Sequence, residues 1–271
     1  MPGKIIVTGA SGAMGAAAVR ALASQGKPVM MACRNLEKAA RVRDEILASM
    51  PGADLEIRHL DLSSMDSVRA FAAGLEGERI SALFNNAGVI SRRYELTRDG
   101  LEHTFAVNYF GPVLLTRLLL PQMEPCAHLV NMVSLTCRFA RVKVDSLHPA
   151  PADFSQLGTY ACAKLALVHF SLELARRRSD LLLNLADPGI VNSNMISMGR
   201  WFDPLADVLF RPLCKTPEQG VRPALAALSS DTRLQYYVGK RTLALPGRYD
   251  DPILELRLWE ETDRILFGEK N

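Results

Sequence analysis

At 271 residues, 48% hydrophobic and 23% charged, the chain fits one large α/β domain with a sizeable core, and disorder is not the default. A net charge of +3, with both signs interspersed, leaves no electrostatic footprint for nucleic acid. Five cysteines without paired spacing point to reduced thiols, no apolar run approaches the roughly 20 residues of a membrane span, and the opening Met1-Pro2-Gly3-Lys4 is no signal peptide, so a cytoplasmic protein is expected.

Lys4–Gly9 reads as a buried strand ending in a turn, and the alanine-rich stretch Ala16–Ala23 as the helix that follows. Glycines at 9, 12 and 15 give G-x-x-G-x-x-G at this strand-to-helix junction, where a dinucleotide pyrophosphate can rest on helix N–H groups. Glycine permits the close backbone approach that such a site needs. Lys27–Cys33 is the second strand, closing on Cys33-Arg34-Asn35. An NAD-binding fold usually carries Asp or Glu near this point to hold the ribose 2′-hydroxyl. Neither 33 nor 35 is acidic here, and Arg34 either offers a planar fork to a 2′-phosphate or is simply a solvated residue at a helix start.

A helix from about Leu36 to Ser49 is stopped by Pro51-Gly52, and Leu55–Asp61 alternates as a third strand. At its end Asp61-Leu62 is placed either to hydrogen-bond an adenine or to cap the helix beginning near Met65, with Ser63 a competing cap. Ile80–Phe84 makes the fourth strand and closes on Asn85-Asn86-Ala87-Gly88, small and amide residues that suit a chain running close beside a cofactor, or an ordinary turn. Leu101–Leu120 has a long helical pattern with Asn108 among apolar neighbours, which either kinks the helix around a water or is a satisfied core amide.

His128–Ser134 is the fifth strand, and it puts Ser134 at a carboxyl end, where ligands sit in doubly wound sheets. The 25 residues before Tyr160 hold Pro149, Pro151 and scattered charges and read as an active-site loop. Tyr160–Arg178 is helical, with Arg176–Arg178 as its solvated end, and Leu181–Ala186 gives a sixth strand closing on Asp187-Pro188-Gly189. Between 193 and 215 the pattern breaks. Trp201, Phe202, Leu205, Val208, Leu209 and Phe210 cluster there, as a lid over a hydrophobic ligand or a flap on a dimer partner. Thr216 and Pro217 restart a helix, Tyr236–Leu245 is a seventh strand, and Asp251-Pro252 caps a last helix through Phe267. The alternation of strand and helix predicts a doubly wound, parallel sheet of about seven strands with helices on both faces.

Tyr160 and Lys164 are four residues apart on one helix, about one turn, and so leave the same face. A phenol has an ordinary pKa of about 10, and a fixed cation beside it favours the phenolate, which suits proton exchange with an alcohol or carbonyl oxygen. The same helix carries Leu165, Val168, Leu172 and Ala175 in a stripe, with Leu167 and Phe170 off it, leaving a second apolar surface for a homodimer or homotetramer.

Taken together, the glycine turn, Asp61, Asn85-Asn86-Ala87-Gly88, Asn108, Ser134, Tyr160, Lys164 and Pro188-Gly189 resemble, in order, the short-chain dehydrogenase/reductase family across the whole chain. Ala32–Asn35, Val107–Pro112, Thr216–Gly220 and Leu258–Thr262 look most like its retinol-dehydrogenase-like branch. The glycine turn departs from the family's commonest T-G-x-x-x-G-x-G: Ala13 stands at the middle glycine and Gly12 one place earlier, as in the family's extended branch.

The resemblance implies a single Rossmann domain over 1–271, in which 193–215 is an insertion, read from its apolar content as a substrate lid or a dimer flap. It implies Tyr160 as general acid/base, Lys164 lowering its pKa and holding the nicotinamide ribose, Ser134 on the substrate oxygen, and Asn108 anchoring a water that links Lys164 to solvent. Cofactor contacts are implied at Gly9, Ser11, Gly12, Met14 and Gly15, at Arg34, Asn35, Asp61 and Leu62, and at Asn86, Ala87 and Gly88. Further contacts are implied at Pro188, Gly189, Val191 and Ser193, the last facing the nicotinamide carboxamide. No metal is implied. The expected activity is hydride transfer between NADP(H), with NAD(H) second, and a lipophilic carbonyl or alcohol of retinoid, steroid or ketone type. A reductase of acyl- or sugar-like carbonyls and a non-catalytic NADP(H) sensor are the alternatives, and the intact Ser134, Tyr160 and Lys164 argue against the sensor.

Overall fold

The computed structural model describes residues 3–191 and 214–268. Ser193 and the apolar cluster from Trp201 to Phe210 lie outside the described residues. The remainder forms one eight-stranded sheet in the order β3-β2-β1-β4-β5-β6-β7-β8. Its strands are β1 (Lys4–Thr8), β2 (Val29–Cys33), β3 (Leu55–His59), β4 (Ile80–Asn85), β5 (Met123–Met132), β6 (Leu182–Asp187), β7 (Gln235–Val238) and β8 (Arg241–Ala244). Every neighbouring pair is parallel except β7–β8. The order reverses between β1 and β4, so the crevice at their carboxyl ends is the topological switch point.

Strand periodicity of two sends alternate side chains to opposite faces. In β1, Ile6 enters one core while Ile5 and Val7 enter the other. One core is closed by α1 (Ala13–Ala23), α2 (Leu36–Ser49) and α7 (Pro217–Leu228). The other is closed by α3 (Met65–Ala73), α4 (His103–Phe105), α5 (Gly111–Leu119), α6 (Gln156–Arg177) and α8 (Pro252–Phe267).

Four local features differ from the sequence reading. The seventh strand is a hairpin, because Val238 pairs with Arg241 across Gly239-Lys240, and Gly239 (φ 59°) takes the left-handed first position that a type II′ turn needs. The cap of α3 is Ser64, whose hydroxyl accepts from Ser67 N; Asp61 and Ser63 instead bond to one another. The helix expected over Leu101–Leu120 opens into a π turn, Ala106–Phe110, between α4 and α5. The loop before Tyr160 contains three short 3₁₀ turns, Leu135–Arg138, Val144–Leu147 and Pro151–Asp153.

Part of the second apolar surface of α6, the side that carries Phe170, is covered within the chain. Trp259 of α8 stacks on Phe170 of α6 at 5.4 Å and 10°. The guanidinium groups of Arg117 and Arg177 each lie 4.4 Å from its ring centroid. Around this clamp Arg117 pairs with Asp263 at 2.6 Å, Tyr109 bonds Thr262 at 2.7 Å, and Arg176 pairs with the buried Glu255. No described helix is long and apolar enough to cross a membrane. Replacing Trp259 with Ala removes a buried ring and both cation–π contacts, so Trp259→Ala is expected to cost about 3–5 kcal/mol of unfolding free energy in a denaturant titration.

Candidate active site

A cleft of about 890 Å³ opens at the switch point, lined by the glycine turn, by Arg34, Asn35, Lys38, Asp61 and Leu62, and by Asn86, Ala87 and Gly88. Its floor depends on missing side chains. Gly9 is left-handed (φ 64°), and a Cβ there would press on Ala87 at 3.0 Å; a Cβ on Gly15 would collide with Gly9 O and lie 2.8 Å from Ala10 Cα. Gly12 N donates to Gly9 O at 2.9 Å and closes the turn. Ala13, where the family's commonest pattern has glycine, is exposed and lines the cleft. Gly12 gives α1 no side-chain cap and the first turn holds no acid, which leaves N–H groups and the positive end of the helix dipole for an anion.

Thr8 ties this turn to the next. Its Oγ1 accepts from Asn86 N and Ala87 N, both at 3.0 Å, and Asn86 Nδ2 donates to Thr8 O at 2.8 Å. Asn86 Oδ1 is buried without a partner among the described residues. The described residues therefore fit a dinucleotide: a diphosphate on α1, and a buried acceptor beside the path onward. At the far mouth Asn35 accepts from Lys38 N at 2.8 Å as the cap of α2, so its side-chain oxygen serves the helix. Asp61 accepts from Ser63 N and Oγ at 2.9 and 2.6 Å, yet still lines the cleft. Lys38 joins Arg34 there. Sequence reasoning passed over Lys38 and Thr8; the available signals were a lysine one helical turn past Arg34 and a threonine directly before the first glycine.

Beyond the cleft lie Ser134, Tyr160 and Lys164. A Cβ on Gly88 would stand 2.9 Å from Asn108 Oδ1 and 3.6 Å from Lys164 Nζ, so the cleft ends against the lysine. Lys164 Nζ donates to Met132 O at 2.9 Å and sits 5.9 Å from the Tyr160 ring centroid. Ser134 lies beside the Tyr160 phenol, and its Oγ accepts from Thr136 N and Oγ1. Asn108 donates to Val89 O and Thr104 O at 2.8 and 2.7 Å and accepts from Val89 N. Asn108 sits in the π turn with its side chain engaged by protein, the satisfied core amide of the two readings. Val191 bridges to Lys215 and packs with Met14 against Gly220, while Lys215 Nζ donates to Pro188 O at 2.9 Å, fixing the left-handed Gly189 turn.

The ionisation of the pair departs from the sequence reading. Burial pushes the Tyr160 phenol above its usual range; Ser134 beside it pulls it back only in part, and Cys137 and Asp187 add to the rise. Burial also pulls the Lys164 ammonium down to about 8. The expected lowering of Tyr160 by Lys164 is outweighed, because both groups have left water and the ammonium is held on a backbone carbonyl.

Residues 3–200 match the short chain dehydrogenase family. Retinol dehydrogenase 13 of Homo sapiens is 32% identical over 282 residues, covering 98% of this chain and 85% of the human one. Retinol dehydrogenase 12 of Bos taurus is 36% identical over 274 residues, with 97% and 85% covered. The crystal structure of a Mycobacterium paratuberculosis protein superposes with a TM-score of 0.78 at 28% identity, covering 97% of this chain and 92% of that one. A metagenomic short-chain oxidoreductase in complex with NADP gives 0.62 at 27% identity, with 87% and 96% covered. The chain belongs to the short-chain dehydrogenase family, in its retinol-dehydrogenase-like branch, and is an oxidoreductase of the CH–OH/C=O pair that uses a nicotinamide cofactor.

Proposed function

We propose that the protein is an NADP(H)-dependent oxidoreductase of lipophilic carbonyls and alcohols, with Tyr160 as the proton carrier. The observation that carries this reading is the placement of Ser134, Tyr160 and Lys164 at the inner end of a cleft whose outer mouth holds Arg34 and Lys38. Two cations at that mouth, with neither 33 nor 35 acidic, suit a 2′-phosphate. Among the described residues, the only acid in the cleft lining, Asp61, is engaged by Ser63. The NADP-bound metagenomic relative supports the same choice.

When bound, the nicotinamide supplies or accepts the hydride. Ser134 holds the substrate oxygen, and Tyr160 gives that oxygen a proton in reduction or takes one in oxidation. Lys164 sits where the ribose beside Gly88 would meet it. A lipophilic substrate is supported by the retinol dehydrogenase relatives and by Phe139 and Ile190, exposed apolar residues just past the carboxyl ends of β5 and β6.

A panel of carbonyls assayed by NADPH oxidation tests the whole reading: kcat/KM rises with the apolar size of the substrate, and Tyr160→Phe lowers turnover by about 10²–10⁴-fold while cofactor affinity stays nearly intact. Retention of more than about a tenth of the wild-type rate in Tyr160→Phe would point to another acid. Arg34→Ala and Lys38→Ala are each expected to weaken NADPH binding about ten- to a hundredfold and to leave NADH unchanged, as read by fluorescence titration.

Burial of Lys164 carries a cost to the fold. Its folded pKa of about 8 lies below the ordinary 10.5, so the unfolded chain binds more protons between these values. The cost is present in full below pH 8 and is relieved as pH rises towards 10.5. Lys164→Met should therefore unfold at higher denaturant than wild type at neutral pH, by up to roughly 3 kcal/mol, with the gap closing in alkali.

A further inference from the structure

The amide that joins Pro188 to Gly189 is gripped by two charged side chains of opposite sign. Asp187 Oδ1 accepts from Gly189 N at 2.8 Å, and Lys215 Nζ donates to Pro188 O at 2.9 Å. Both atoms belong to one trans amide, whose N–H and C=O point in opposite directions. Asp187 ends β6, and its other oxygen accepts from the Tyr236 phenol at 2.6 Å, so it is fixed in place. Lys215 stands directly before Thr216, the cap of α7, and reaches the amide across Gly189, where a Cβ would lie 2.8 Å from Nζ. Among the described residues the Lys215 ammonium has no carboxylate partner; its charge serves this carbonyl.

The local sequence explains why the amide needs holding. Proline followed by a left-handed glycine (φ 71° at Gly189) is the residue pairing of a type II turn. Type I and type II turns differ in the ψ of the first central residue and the φ of the second, which is a rotation of the amide between them. Glycine accepts either sign of φ, so the chain by itself leaves this amide free to turn over. Turned over, it would face its carbonyl to the Asp187 carboxylate and its N–H to the Lys215 ammonium, like against like. The two charges therefore select one orientation.

That orientation sets the course of Ile190 and Val191. Lys215 N donates to Ile190 O at 2.9 Å, Val191 bridges to Lys215, and Val191 packs with Met14 against Gly220. Met14 lies in the first turn of α1 and lines the cleft. The sheet order tells which half of a dinucleotide this wall meets. Arg34 and Asp61 follow β2 and β3 on one side of the glycine turn, whereas Ser134 and Pro188 follow β5 and β6 on the other. Pro188–Val191 thus borders the half of the cleft that runs towards Ser134.

We propose that Lys215 is a positioning residue: with Asp187 it fixes the Pro188–Gly189 amide and so places the backbone wall on which the nicotinamide half of the cofactor rests. The inference deepens the proposed cofactor reading and rests on it. Its signature is a loss confined to one end of the cofactor, since the adenine end is held by residues after β2 and β3 that Lys215 does not touch.

The test compares two ligands on the full-length chain by fluorescence and calorimetric titration: NADPH, and adenosine 2′,5′-bisphosphate, which is its adenine half alone. Lys215→Met keeps an unbranched side chain over Gly189 and removes the donor. It is expected to bind NADPH about tenfold more weakly, the loss of one charge-assisted contact, and the adenine half as tightly as wild type. Unchanged NADPH affinity overturns the inference, and so does an equal loss for both ligands, which would mark a general defect of the cleft. Should Lys215→Met fail to fold, Lys215→Gln, whose shorter neutral amide falls short of the carbonyl, is read in the same way and decides. Failure of the cofactor reading shows separately, in the wild type: tighter binding of NADH than of NADPH refutes the choice of a 2′-phosphate. The comparison is then made with NADH and ADP, and its outcomes judge Lys215 as before.

Discussion

Three absent Cβ atoms set the geometry of this molecule. At Gly15 the first turn of α1 comes down onto the carbonyl of Gly9; at Gly9 the turn after β1 lies against Ala87; at Gly88 the chain slips between Asn108 and Lys164. Each approach brings the backbone of one segment within van der Waals contact of another, so a methyl group at any of the three would push two elements apart. The crevice between β1 and β4 exists because these contacts hold its walls at fixed separation. Thr8 then locks the two walls together through Asn86 and Ala87.

From that frame the inner end of the cleft acquires its character, which is dryness. Tyr160, Lys164, Cys137 and Asp187 are all buried, and the lysine finds a backbone carbonyl as its partner. In such surroundings each charge counts for more than it would in water, and proton affinities answer to immediate neighbours. The site is expensive for the fold, as catalytic arrangements commonly are.

Much of this was legible in the sequence, for identifiable reasons. Strands such as Lys4–Thr8 and Val29–Cys33 are short apolar runs bounded by glycine and polar residues, and period two does the rest. Thr216-Pro217 and Asp251-Pro252 announce their helices because capping chemistry is local. What escaped was decided at longer range or by competition between neighbours. Asn35 looks free to meet a ligand until Lys38 N claims its oxygen, and Ser64 wins the cap of α3 because Asp61 and Ser63 engage one another. The hairpin at Gly239 was signalled by one glycine inside an apparent strand. The direction of the Tyr160 shift depends on how deeply the helix is buried, which no four-residue spacing encodes.

The clamp around Trp259 also has a bearing on how the chain reaches its final form. Its partners are Tyr109, Arg117, Phe170 and Arg177, all far earlier in the sequence. A ribosome delivers those residues well before 252–267, and domains acquire structure from the N-terminus during synthesis. For that interval the nascent chain carries the outer face of α5 and α6 uncovered, an apolar surface with arginines at its rim. Chaperone capture or mispairing with a second nascent copy would compete for that face until the last helix emerges and seals it.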